Sequence, residues 1–166
     1  YSGGILIEDD RAVICYAGAL AGTNNSGIHI LESRDDLLLH FERISSLPTV
    51  YTFDKDGNKN PYNAFDPFIF RDNGRYCMIT GGGGSLPYDP EKLDFRREYI
   101  FTSDDLVNWE YHHVFVEGDR YNVVGDDGAC PYFLPVGNGR HILLNFSHRQ
   151  GGKYLVGDYD SDRLKF

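Results

Sequence analysis

The chain has 166 residues, of which 41% are hydrophobic and 25% are charged, as in a folded globular domain with a sizeable core. Its formal net charge of −9 argues against a nucleic-acid partner, because binding a phosphate backbone requires a basic surface. No apolar run approaches the roughly 18–20 residues that a membrane-spanning helix needs, so no membrane partner is expected.

The chain opens with two apolar strands joined by a polar turn. Residues 2–18 (SGGILIEDDRAVICYAG) place apolar runs on both sides of an Asp-Asp-Arg turn at 9–11. Residues 31–47, taken alone, have the spacing of an amphipathic helix. The matching stretch 98–114 is rich in strand-forming residues such as Trp109, so both stretches are predicted to be β-hairpins.

The opening pattern returns twice along the chain. Residues 66–82 and 130–147 each consist of an apolar run, a polar turn, an arginine and a second apolar run. Their turns fall at 72–74 and 137–139, where Asn-Gly pairs are typical of tight hairpins. The arginines are spaced 64 and 65 residues apart, which indicates a repeat architecture. They are Arg11, Arg75 and Arg140.

Residues 153–166 are a looser copy of the hairpin that follows each opening pattern. Four antiparallel strands per unit, repeated around an axis, predict an all-β fold with about three blades of a β-propeller. The blade-like units fall at about 1–47, 64–115 and 129–166, within one partial domain. Propellers typically have about four to eight blades, so we expect a larger ring and poor stability for these residues alone.

The cysteines give no sign of a disulfide framework or a zinc site. Cys15, Cys77 and Cys130 lie far apart without a C-x-x-C pair. The loop at 54–60 begins like a calcium-binding loop but has Lys59 where the invariant glycine is required. No metal and no cofactor are therefore predicted.

Acidic residues mark one face of the predicted blades. The long connections are expected on the face where each first strand begins, and Asp66 and the stretch 125–131 (GDDGACP) lie there. Asp66, directly before a buried strand, serves either a site or the entry of that strand. Asp126 and Asp127 are catalytic acids, metal ligands or turn residues, and the spacing leaves these alternatives open.

Several stretches taken in order resemble the propeller of glycoside hydrolase family 32, which cleaves fructans and sucrose. They are YSGG, FDPFIF, SDDLVNWEY, ACPYF and GDYD. Family 43, with a similar Asp-Pro strand, is the nearest competitor. The resemblance implies a five-bladed propeller of which this chain supplies blades two to four. It also implies a nucleophilic aspartate in a first-blade segment before Tyr1.

The resemblance carries over to this chain with two departures. Asp66 matches the aspartate of the family's R-D-P motif, which steadies the transition state, but Phe65 replaces the arginine. Ala129 stands where the E-C-P motif has its acid/base glutamate. On an extended strand Asp127 faces the same side as Ala129, about 6.5 Å away, and is therefore a candidate for a relocated acid.

The resemblance thus implies a β-fructosidase-type glycoside hydrolase with a carbohydrate substrate. The alternatives are a family 43-like glycosidase for arabinan or xylan, and a sugar-binding propeller without turnover, which the alanine at 129 favours. The predicted catalytic residues are Asp66 and Asp127. The predicted substrate-binding residues are Ser2, Asn63, Phe65, Asp126, Cys130 and His148.

Overall fold

The computed structural model describes residues 2–19, 26–82, 98–119, 121 and 126–166, which contain twelve β-strands and no helix. The first sheet is antiparallel, and its two short last strands both pair with β3. Its strands are β1 (Gly3–Ile7), β2 (Ala12–Ala19), β3 (Ser26–Ser33), β4 (Glu42–Arg43) and β5 (Val50–Tyr51).

The second and third sheets are antiparallel meanders in chain order. The second sheet contains β6 (Phe68–Asp72), β7 (Arg75–Thr80), β8 (Tyr99–Ser103) and β9 (Glu110–Val114). The third contains β10 (Ala129–Gly137), β11 (Arg140–Ser147) and β12 (Gly151–Asp158). The predicted all-β propeller fold is confirmed, and residues 31–47 form no helix.

The three predicted turns join the first two strands of each sheet. Glu8 N donates to Arg11 O at 2.9 Å across the first turn. In the second turn Asn73 and Gly74 have φ of 48° and 81°, and in the third the Asn-Gly pair at 138–139 has 52° and 73°. Two successive positive φ values define the hairpin turn that matches the twist of the flanking strands. The Asn-Gly prediction therefore succeeded for a local reason.

Within residues 1–166 the third sheet has three strands, followed by a turn. After β12 the described chain makes one isolated bridge, between Asp160 and Lys165. Asp160 Oδ1 accepts hydrogen bonds from Asp162 N and Arg163 N at 3.1 and 3.0 Å. This side chain closes a tight turn, and Leu164, with φ of 54°, is buried behind it.

The core consists of two layers, one on each face of the second sheet. Because side chains alternate along a strand, β7 and β8 supply apolar groups to both layers. The layer shared with the first sheet includes Tyr76, Met78 and Phe101. The layer shared with the third sheet includes Cys77, Ile79 and Ile100.

The first strands of the sheets lie side by side, since β6 contacts both β1 and β10. Residues at or directly before the starts of these strands, among them Ser2, Asp66 and Ala129, therefore gather on one face. Three of the long connections expected on this face, at 18–27, 81–97 and 115–129, lie partly outside the described residues. In the part of the chain that is described, no helix is long and apolar enough to cross a membrane.

Candidate active site

Asp66 lies at the centre of the face where the first strands begin. Its φ of 43° is in the left-handed region, which a non-glycine residue adopts only at a cost of about 1–2 kcal/mol. The carboxylate Oδ2 accepts a hydrogen bond from the backbone N of Cys130 at 3.1 Å. That bond reaches across to the third sheet, so the side chain links two blades as well as marking the entry of its own strand.

Cys130 links Ser2, the residue before β1, to Asp66. The thiol donates to Ser2 Oγ at 3.1 Å and lies 3.7 Å from Asp66 Oδ2. Burial is the main cause that raises the pKa of the Cys130 thiol, and the carboxylate of Asp66 adds to it. Cys130 also has a left-handed backbone, with φ of 50°. Three predicted site residues therefore form one polar cluster.

Gly82 forms the wall of the site beside Asp66. A Cβ built on Gly82, whose φ is +74°, would lie 2.7 Å from Asp66 Oδ2, so a larger residue would displace the carboxylate. Its N donates to Asp127 O at 2.7 Å. Its O accepts a hydrogen bond from Asn63 Nδ2 at 3.3 Å. Asn63 is buried and thus supports this wall from behind.

Phe65 contributes to the same wall through its backbone. Its O accepts a hydrogen bond from Gly81 N at 3.0 Å, and its half-buried ring packs against the core between the first and second sheets. Phe65 stands where the family motif has an arginine, so this position supplies packing instead of a positive charge.

Asp126 and Asp127 are both buried, with side chains 1% and 8% exposed. Asp126 Oδ2 lies 3.7 Å from the Nζ of Lys153. Asp127 Oδ1 lies 3.1 Å from the Nδ1 of His148. Each carboxylate thus faces a basic side chain of the third sheet or the loop after β11. This arrangement goes beyond what a turn requires of its acids.

The loop that carries these acids rests on a buried glutamate. A Cβ built on Gly128, whose φ is +60°, would lie 2.5 Å from Glu98 Oε1. Glu98 is fully buried, and the same Oε1 accepts a hydrogen bond from Asn145 Nδ2 at 3.3 Å. Sequence reasoning missed Glu98, because it stands in a polar run before β8 and its contact is distant in sequence. The signal for Gly82 was its place in the glycine run directly after β7.

The structure therefore places the predicted site residues in two connected groups. Ser2, Asp66 and Cys130 are in direct contact. Asp127 contacts His148 and joins the first group through Gly82. Within the described residues no three His, Cys, Asp or Glu side chains are arranged to hold a metal ion. The chemistry that this face offers is that of carboxylates, a thiol and an imidazole.

Comparison with known proteins places this architecture among glycoside hydrolases. A GH32 β-fructofuranosidase of Bombyx mori matches 100% of this chain and 35% of its own, at 21% identity and a TM-score of 0.66. Sucrose-6-phosphate hydrolase from Lactobacillus gasseri matches 98% of this chain and 33% of its own, at 18% identity and a TM-score of 0.63. An exo-β-1,3-galactanase from Clostridium thermocellum matches 98% of this chain and 35% of its own, at 14% identity and a TM-score of 0.66.

These likenesses show a shared fold, and the chain spans about a third of the length of the structures it matches. The model of the glycosyl hydrolases family 32 N-terminal domain matches residues 1–166. The chain therefore belongs to glycoside hydrolase family 32.

Proposed function

We propose that this chain carries part of the active site of a β-fructosidase-type glycoside hydrolase. The observation that carries the proposal is the Asp66 carboxylate, fixed in a left-handed backbone at the start of β6 and held by Cys130. Family membership supports the class of reaction. The names of the Bombyx mori and Lactobacillus gasseri proteins support fructose-containing substrates.

Asp66 is suited to steady positive charge in a bound sugar. Glycoside cleavage passes through an oxocarbenium-like transition state, which a nearby carboxylate stabilises together with hydrogen bonds to the sugar hydroxyls. The bond from Cys130 N holds Oδ2 in place, and the Gly82 backbone limits the room in which the carboxylate can turn. An orientation fixed before the substrate binds costs nothing during the reaction.

Asp127 is the proposed carboxylate on the side of the site where the leaving oxygen of the substrate is protonated. Ala129 is buried and has no group that can move a proton, so the acid function must come from elsewhere. Asp127 is two residues away, and its O bonds to the same Gly82 that contacts Asp66. Its carboxylate is linked to His148.

Sugar binding without turnover is the second candidate function. The methyl group of Ala129, in the place where the family has its glutamate, is the observation that favours it. In this case the Asp66 cluster and the walls around it would serve affinity alone.

Hydrolysis assays on the full natural protein that contains this chain separate these candidates. The substrates are sucrose and fructans, with arabino-, xylo- and galacto-oligosaccharides for the family 43-like alternative. We expect release of fructose, and a fall in kcat of about 10²–10³-fold in Asp66→Asn with sugar binding retained. Binding measured by calorimetry without hydrolysis of any substrate would support the second candidate.

A further inference from the structure

Asp127 is joined to a histidine of the loop that follows β11. His148 is the first residue after β11, and its Nδ1 lies 3.1 Å from Asp127 Oδ1. The turn that carries it is fixed, because Ser147 Oγ accepts hydrogen bonds from Arg149 N and Gln150 N at 3.2 and 3.1 Å. The imidazole therefore stands on an anchored backbone with one ring nitrogen committed to a carboxylate.

The two partners differ in what they can reach. The Asp127 side chain is only 8% exposed, whereas the His148 side chain is 73% exposed. Asp127 Oδ2 is inaccessible and accepts no hydrogen bond from the described residues. A leaving sugar oxygen can therefore meet the imidazole in this arrangement but cannot meet the carboxylate.

We propose that His148 and Asp127 act as one proton-transfer pair, in which Asp127 orients the ring and His148 Nε2 protonates the leaving oxygen. This inference rests on the proposed function. A carboxylate that accepts a hydrogen bond from Nδ1–H fixes the ring orientation and stabilises the imidazolium form. Nε2, on the opposite side of the ring, is the atom left to serve the substrate.

The proton-transfer step balances without any added reagent. The bond between the anomeric carbon and the leaving oxygen breaks, and its electron pair stays on that oxygen. The oxygen takes the Nε2 proton of His148, which becomes a neutral imidazole with its remaining proton on Nδ1. Water, the second substrate of any hydrolase, supplies the hydroxyl that ends on the sugar and returns one proton to Nε2.

Other charged and titratable groups face the pair from each neighbouring element. Asp126 lies beside it on the same loop, where Lys153 of β12 is its ion-pair partner. The Cys130 thiol on β10, whose pKa is raised, stays neutral near pH 7. Asp66 lies against Gly82, whose N donates to Asp127 O. Arg149 follows His148 in the chain. The carboxylate nearest to the imidazole is therefore Asp127.

The decisive variant is His148→Asn in the full natural protein, because the asparagine amide can still donate to Asp127 but carries no transferable proton. We expect kcat/KM for unactivated fructosides to fall by about 10²–10⁴-fold, the usual contribution of general acid catalysis. Aryl fructosides with good leaving groups should change little. Free imidazole should partly restore the rate of His148→Ala.

Asp127→Asn should show the same dependence on the leaving group. The double variant should be no slower than the slower single variant, because residues that act as a unit are not additive. His40→Asn, an exposed histidine beside β4, is the matched control and should behave as wild type. If His148→Asn hydrolyses unactivated fructosides as fast as the wild type, the proposal of a proton-transfer pair is wrong.

Nitrogen NMR of His148 tests the pair without turnover. We expect the Nδ1–H tautomer in the wild type and a mixture of tautomers in Asp127→Ala. If the protein hydrolyses no glycoside, the proposed function fails while this measurement still decides whether Asp127 fixes the ring. The same tautomer population in the wild type and in Asp127→Ala would contradict the orienting role of Asp127.

Discussion

The second and third sheets have the same alternating apolar pattern but different surroundings. Both faces of the second sheet are covered, one by the first sheet and one by the third. The third sheet buries Phe133 and Leu143 on one face only. Its other face, where cross-strand partners align, is exposed in this chain and includes Tyr132, Leu134, Leu144, Phe146, Tyr154 and Val156.

From this difference we expect each blade to depend on its neighbours for stability. A sheet of three or four strands buries little by itself, and the free energy comes from apolar area that adjacent sheets remove from water. The alternation in sequence indicates that both faces are apolar, but it does not show which face is covered. Variants at matched positions of the second and third sheets measure how much an adjacent sheet contributes to the free energy of unfolding.

The largest contrast is expected between two phenylalanines, one in the second sheet and one in the third. Phe101, on β8, is 1% exposed, whereas Phe146, on β11, is 53% exposed. Phe101→Ala should lower the free energy of unfolding by about 3–5 kcal/mol, because it leaves a cavity between two sheets. Phe146→Ala should change it by about 0.5 kcal/mol or less. Urea denaturation measures both, and equal losses would mean that the exposed face is covered in solution.

Two glycines with nearly identical φ angles give the next contrast. Gly82 follows the second sheet with φ of +74°, and Gly139 lies in the third-sheet turn with φ of +73°. Alanine at either site incurs the left-handed backbone cost, about 1–2 kcal/mol. Only at Gly82 would the new Cβ also meet Asp66 Oδ2, since a Cβ built on Gly139 would have no non-neighbouring atom within 4 Å. Gly82→Ala should therefore lose more stability, and should also lose activity in the full natural protein.

The outcome at Gly139 is the internal reference for this test. If Gly139→Ala and Gly82→Ala lose equal stability and neither changes activity, the contact between Gly82 and Asp66 has no importance for the site. Thermal unfolding and kcat, measured on the same samples, distinguish strain in the backbone from displacement of the carboxylate.

Much of the fold could be predicted because its signals are local. Asn-Gly pairs set the hairpin turns, and Asp105 accepts bonds from Val107 N and Asn108 N as expected of a turn acid. The looser copy at 153–166 gave a weaker signal: β12 begins at Gly151, and the side chain of Asp160 closes the turn that follows it.

In the candidate site, too, some residues could be predicted from the sequence and others could not. Asp66 and Cys130 were found because each lies at the start of a first strand, a position fixed by the repeat. The contact of Glu98 with Gly128 and that of Gly82 with Asp66 were missed, because they join segments far apart in sequence. The catalytic role of Asp66 and the part of Asp127 in proton transfer remain predictions, which the kinetic experiments test.

A smaller effect is expected from pH, through a buried histidine of the first sheet. Burial, with a contribution from Arg43, lowers the pKa of His29 below its ordinary value of 6.5. The unfolded chain therefore binds the proton more tightly than the folded chain. Stability should be constant above about pH 6.5 and should fall as pH drops below it. His29→Gln should flatten this slope in urea denaturation, whereas the exposed His40→Gln should leave it unchanged.

The smallest change to the molecule is thiol labelling, which compares the same two sheets chemically. Cys77, in the layer between the second and third sheets, is fully buried, and burial raises the pKa of its thiol to about 11. Cys15 is also buried, and its pKa is raised to about 12. Cys130, at the start of the third sheet, is only half-buried, so its thiolate is the most accessible of the three although its pKa is raised.

Iodoacetamide at mildly alkaline pH should therefore label Cys130 first in the folded protein, and mass spectrometry of the peptides reads the order. Because the thiol contacts Ser2 and lies beside Asp66, a bound sugar in the full natural protein should slow that labelling. Cys130→Ser removes the fast site and is the control. Cys77 labelling as fast as Cys130 would mean that the layer between the second and third sheets opens readily. The contrast between a sheet covered on both faces and a sheet covered on one would then fail at that interface.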